Sequence, residues 1–326
     1  MSHRIGFLLL LSLCACVISS SAQQLVTDIS VPGVPSGVAV NPASNRVYVS
    51  LHTSTGYAVA AIDGSSGTVI ATTPVAWAFV VAVNVANGRV YTAGCDYGQS
   101  PLTCGVAVID GTSDTVIATI PISAVDQGIG LQGIAVNPAT NRIYVSDDNN
   151  LKVHVINGDT NTIVAHVRMD RQQFLGLAVD TSTNQLLAAV NGDELAVING
   201  SSNATTRIKV GNFNANVAVN SFNNRAYVTN ETFAPSTLGV VNTVSSKVLA
   251  NVPVGNNPFA VCVDPYSNLI FVTNTGDSTV AVVDGKTNLK TGSVTVSGNF
   301  IDVNPITKLV YTSDDAGADV VHVISE

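Results

Sequence analysis

Residues 134–167 read IAVNPATNRIYVSDDNNLKVHVINGDTNTIVAHV. Four short β runs follow one another here: Ile134–Asn137, Arg142–Ser146, Lys152–Ile156 and Thr162–Val167. β-Branched and aromatic residues fill the runs, while Asn, Asp, Gly and Pro fill the gaps between them. The Asn-Pro turn after the first run and the Asn-Gly turn before the last are hairpin signals. The segment therefore predicts four antiparallel strands joined by tight turns.

The same unit recurs along the chain. Its first half appears as VNPASNRVYVS from Val40, VNVANGRVYTA from Val83, VDTSTNQLLAA from Val179 and VNSFNNRAYVT from Val219. It appears again as VDPYSNLIFVT from Val263 and VNPITKLVYTS from Val303. The anchor positions are Asn41, Asn84, Asn137, Asp180, Asn220, Asp264 and Asn304, spaced 40 to 53 residues apart. Its second half reads VAAIDGSSGTVIATTPV from Val59 and VAVIDGTSDTVIATIPI from Val106, with weaker copies from Leu195, Leu238 and Val280. A period of about 43 residues is that of a four-stranded propeller blade. The expected fold is all-β: seven four-stranded antiparallel blades. The seventh unit ends after its third strand, and Leu25–Val31 carries the missing fourth-strand pattern. The N-terminal strand is thus expected to complete the last blade and remove the open sheet edges.

With NPxTNRIYV, VIDGxTxTVIATIPV and the tetrapeptide YVTN at Tyr227–Asn230, nearly copied as FVTN at Phe271–Asn274, the chain resembles the YVTN family of β-propellers. The resemblance spans residues 23–326 and is weakest in the fourth unit, where Leu187 replaces the tyrosine. It implies a propeller exported to a periplasm or surface layer. It implies no chemistry, because fold alone does not carry function.

Composition agrees with stacked blades. Of 326 residues, 46% are hydrophobic and only 11% charged, against about 25% charged in a typical domain. Net charge is −8 and no Lys/Arg cluster exists, which excludes a phosphate-tracking nucleic-acid surface. After the N-terminus no apolar run is long enough for a membrane-spanning helix.

Residues 1–22 read as a signal peptide, with Arg4 before the apolar stretch Phe7–Leu13 and small residues up to Ala22. The alternative is a lipoprotein box, Leu13-Cys14-Ala15-Cys16, acylated at Cys16; Cys14 is an odd residue inside such a box. Cys95 and Cys104 bracket one loop and are expected to form a disulfide, as suits an oxidising compartment. Cys262, inside an apolar run, is expected to be a buried free thiol.

Repeated residues read as scaffold. Tyr48, Tyr91, Tyr144, Tyr227 and Tyr311 should fill the gaps between blades, and Ala39, Ala82, Ala135, Ala178 and Ala218 should sit on crowded inner strands. Arg46, Arg89, Arg142 and Arg225 should bind local carbonyls or acids. A binding site should break the symmetry. Cys262 and Asp302 do so at the inner-strand alanine position. The variable loops, between blades and between second and third strands, lie on one face. They carry Trp77, Phe79, Tyr97, Asp126, Asp170, Arg171, Phe174, Phe213, Phe233, Phe259 and Phe300, which with Asp302 form the candidate ligand surface. The opposite face is expected to be near-identical short turns. The Asp147–Asn150 and Asp314-Asp315 runs read as solvated loop acids. No spacing points to a metal, a cofactor or a nucleophile elbow.

These readings lead to an exported, monomeric binding or scaffold propeller. Its partner would be an envelope protein, a glycan or a small ligand, with no nucleic acid. The alternatives are a propeller-type envelope enzyme, a lactonase-like hydrolase or lyase with a central metal, and a surface-layer or adhesion role.

Overall fold

The computed structural model describes residues 23–326 except 99, 126–129, 170–173, 191, 232–235 and 315–317, with the side chains at 123–125, 174 and 175 also outside the description. Seven four-stranded antiparallel sheets are present. Blades 1 to 6 occupy residues 34–75, 80–125, 131–168, 174–209, 214–253 and 258–295, each a consecutive four-strand meander. Blade 7 takes Ile301–Asn304, Leu309–Asp314 and Val320–Ser325, and its fourth strand is Leu25–Ser30 from the other end of the chain. First strands of successive blades pack side by side round a closed ring, with Val34–Asn41 meeting Ile301–Asn304. Closure by the N-terminal strand is as the repeat predicts. Among the described residues no helix is long and apolar enough to cross a membrane.

Each recurring residue has a definable task. The anchor oxygen caps its own turn: Asn41 Oδ1 accepts from the amides of Ala43 and Ser44, and Asn137 Oδ1 from Ala139 and Thr140. Four residues on, the chain is left-handed in all seven copies, at Asn45, Gly88, Asn141, Asn184, Asn224, Asn268 and Lys308. Asparagine tolerates that conformation better than other side chains. The two positions then join across blades. Asn84 Nδ2 donates to Asn141 Oδ1 (2.8 Å), Asn137 to Asn184 (2.9 Å), Asn220 to Asn268 (2.8 Å) and Asn304 to Asn45 (2.8 Å). Where the anchor is Asp264, the next blade supplies Lys308, whose Nζ lies 2.5 Å from the carboxylate. At the other aspartate anchor, Asp180, the partner position stays asparagine and Thr243 Oγ1 donates to the carboxylate instead (2.8 Å).

The tyrosines are buried between blades as expected: Tyr48 packs with Val81, Val90 and Ile109 of blade 2, and Tyr311 with Val47 and Val49 of blade 1. The arginines reach further than local carbonyls. Arg46 bonds Gly111 O (2.6 Å) and Asp114 in the next blade, and Arg89 and Arg225 bond Gly158 O and Gly285 O likewise. The hydroxyl two residues after the seam aromatic also crosses to the next blade in several copies. Ser50 Oγ donates to Phe79 O (2.7 Å), Thr229 Oγ1 to Phe259 O (2.8 Å) and Thr273 Oγ1 to Asn299 O (3.0 Å). In the YVT motif, the aromatic ring packs the seam and the threonine pins the neighbouring inner strand.

Cys95 and Cys104 are directly opposed on the second and third strands of blade 2 and form the disulfide, with Cα atoms 4.0 Å apart. Cys262 is a buried free thiol, its pKa pushed up by burial and by the charge of Asp302. Within the acid runs, Asp147, Asp148 and Asp314 are buried rather than solvated, and Asp315 lies outside the described residues. Asp147 accepts from Asn150 and from His154, which explains its position.

Candidate functional site at the propeller axis

The inner strands leave one edge unpaired, so their backbone amides and carbonyls face the axis. Two cavities lie there. The smaller, of about 80 Å³, sits at the loop end among Gly37, Gln132, Gly133, Gly176, Asn216 and Phe300. The larger, of about 290 Å³, runs on toward the turn end past Val40, Val83, Ala260, Ile301 and Asp302. At the level of Phe300 the other blades present Gly37, Val80, Gly133, Gly176, Asn216 and Ala260. Glycine is required at two of these. A Cβ on Gly37 would meet the Val80 backbone at 2.9 Å, and one on Gly176 would strike Asn216. The small residues leave room for the single large ring at the axis.

Two other predicted residues converge on that ring. Phe79 and Phe259 each lie edge-on to Phe300, with ring centroids 5.6 Å apart in both pairs and interplanar angles of 88° and 81°. Such edge-to-face pairs are favourable by about 0.5–1.5 kcal/mol beyond their buried area. Their backbones are held by hydrogen bonds, across the seam for Phe79 and Phe259 and within its own blade for Phe300. Phe79 O accepts from Ser50 and from the Gly37 amide, Phe259 O from Thr229, and Phe300 O from Thr312 (2.9 Å). All three rings are half-buried, so one side of the cluster remains open.

Asp302 follows two residues later on the same strand. Its oxygens accept from the amides of Val40 (2.8 Å) and Val303 (2.8 Å), joining blade 7 to blade 1. Burial pushes its carboxyl up to about 6, against the opposing pull of those two amides.

The other predicted residues are placed differently. Trp77 does not reach the axis: its indole lies on Gly105, and Nε1 donates to Thr103 Oγ1 (3.3 Å) on the third strand of its own blade. Tyr97 is exposed beside the disulfide strands, its hydroxyl near Gly130 at the entry to blade 3. Phe213 is also exposed and takes a left-handed φ of 54°. In blade 6 the corresponding left-handed residue is Asn257. Replacing Phe213 by Asn should therefore raise stability by roughly 0.5–1 kcal/mol, read as a higher denaturation midpoint. Asp126, Asp170, Arg171 and Phe233, and the side chain of Phe174, lie outside the described residues.

Two features escaped the sequence reading. One is a hydrogen-bonded chain in blade 3, where buried His154 bonds Asp147 Oδ2 through Nε2 (2.9 Å) and His166 through Nδ1 (3.0 Å). Blade 7 repeats it with Asp28 in place of His166: His322 Nδ1 bonds Asp28 (2.7 Å), and Nε2 faces Asp314 at 3.8 Å. There the motif ties the N-terminal strand to the last blade. The other is on the turn face, which is not uniform. Phe222, Tyr266 and Ile306 are 69%, 67% and 66% exposed, and the first two rings touch at 5.5 Å. All three stand two residues after the anchor, where other copies carry Ala or Ser. That register shift from small to large was legible.

Among solved structures the chain is similar to hydrazine synthase of Kuenenia stuttgartiensis, with TM-score 0.72 and 16% identity over 91% of this chain and 96% of that one. It is also similar to the WD40 domain of Neurospora crassa Pan2, with TM-score 0.66 and 13% identity over 93% and 94%. At such identities the likeness establishes the seven-bladed fold and nothing of the chemistry. No family model and no curated protein matches the chain.

Proposed function

We propose that this chain is an exported binding module of the cell envelope that takes a small ligand at its axial mouth without turning it over. The observation that carries this reading is Phe300, whose ring lines both axial cavities and is packed edge-to-face by Phe79 and Phe259 from two other blades. An open aromatic cluster above a lined cavity is the usual chemistry of a small-molecule site. Export is supported by the signal-like residues 1–22, by the Cys95–Cys104 disulfide, and by motifs resembling the YVTN propellers. A metabolite and glycan library read by thermal shift tests the site. A compound that raises the melting temperature of the protein should fail to do so for Phe300→Ala, itself folded by circular dichroism. Hits that stabilise Phe300→Ala just as well would place binding elsewhere.

A further inference from the structure

We infer that the 290 Å³ axial cavity binds a small organic cation, a primary ammonium on an apolar body, with Asp302 as its counter-charge. This deepens the axial reading above and rests on it. Asp302 occupies a position filled by alanine in five blades and by Cys262 in the sixth. Those six positions show that a small uncharged residue meets the packing requirement. A carboxylate there loses solvation, which an ordinary seam would not select. Its two oxygens each accept one amide hydrogen, from Val40 and Val303, and each retains acceptor capacity. No Lys, Arg or His is among the residues lining either cavity. The charge is therefore met by neutral amides alone.

The surroundings select the kind of cation. A divalent metal held by a single carboxylate would be a weak site, because affinity falls with the charge of the ligand set, and among the described residues no three of His, Cys, Asp and Glu come together. The exposed wall is mainly polar, the backbone edges of the inner strands, with smaller apolar patches from Val38, Val81, Leu177, Ile301 and the Phe300 ring. An ammonium group would bond the carboxylate and the axis-facing carbonyls. Its apolar body would lie against the valines and the ring face, where a cation is also attracted. An anion would meet the Asp302 charge unfavourably.

Benzylammonium, benzyl alcohol and benzoate form a matched probe set for isothermal titration at pH 7.5. Benzylammonium should bind, and the other two should bind at least about ten-fold more weakly. Asp302→Ala, which installs the residue of five other blades, should reduce benzylammonium affinity by a similar factor. The titratable groups facing Asp302 are Cys262 on the preceding inner strand and Tyr311 on its own blade, both neutral at these pH values; Val34–Asn41 presents none. Binding to the protein should hence weaken as pH falls below about 6, and that pH dependence should vanish in Asp302→Ala. Equal binding of all three probes, lost together in Phe300→Ala, would overturn the cation inference and leave the axial site standing. Benzylammonium affinity unchanged by Asp302→Ala, or no binding of benzylammonium, would also overturn it. Library hits indifferent to Phe300→Ala would instead remove the axial reading itself.

Discussion

Deleting residues 23–31 is expected to abolish the cooperative folded state. Ile29 and Val31 are buried in the cluster shared by blades 7 and 1, beside Val47, Val49, Tyr311 and Val321. Burial of two such side chains contributes roughly 2 kcal/mol each. The antiparallel ladder between Leu25–Ser30 and Val320–Ser325 and the Asp28–His322 contact add to that. The loss is on the order of 5 kcal/mol, comparable with the 5–15 kcal/mol total of a typical domain. It would also leave the Val320–Ser325 edge free to pair with another chain. Circular dichroism and light scattering should show early melting and aggregation. A deletion variant that melts within a few degrees of the intact protein would mean that the ring does not depend on this strand.

The second large effect is expected at the blade 6–7 seam. Asp264 is fully buried, and its carboxylate is held by Lys308 Nζ and by the amides of Tyr266 and Ser267. Burial works to raise its pKa, but the hydrogen bonds with Glu326, Lys308 and the two amides outweigh it and keep the group below the usual aspartate range. Lys308→Met leaves that buried charge without its cation and should cost about 3 kcal/mol. The loss should be largest at neutral pH and shrink as acid protonates Asp264. The double variant Asp264→Asn with Lys308→Asn should recover most of it, because it installs the Asn–Asn bridge that blade 2 makes with blade 3. Asparagine also suits the left-handed backbone at position 308, where φ is 62°. Chemical denaturation of the two variants against the parent decides this. A Lys308→Met variant as stable as the parent would make the ion pair irrelevant to the seam.

The blades were legible because their determinants are local and repeated. The anchor, the left-handed asparagine and the turn after the third strand lie within a few residues of one another, and each recurs. Closure was legible because one unit lacked a strand and the other end of the chain carried a spare. The seam bonds were not, since Asn84 and Asn141 meet only once two blades stand side by side. The matched pair Asp264 and Lys308 was present in the sequence as two simultaneous departures from the repeat, but only the ring geometry makes them neighbours. The site shows the same division. Asp302 and Phe300 broke the repeat visibly. That Phe79 and Phe259 meet Phe300, while Trp77 turns onto Gly105, depends on how inner strands crowd the axis. The exposed Phe222, Tyr266 and Ile306 were overlooked because the turn backbone is uniform and only its outermost side chain varies.

The central claim is that this propeller binds a small organic cation along its axis, and methyl NMR during a benzylammonium titration tests it most directly. Saturable shifts are predicted for Val38, Val81, Leu177, Val261 and Ile301, which line the larger cavity, and these should be lost in Asp302→Ala. Shifts confined to Ile306 and other residues of the turn face, or an unperturbed spectrum at saturating probe, would contradict the account.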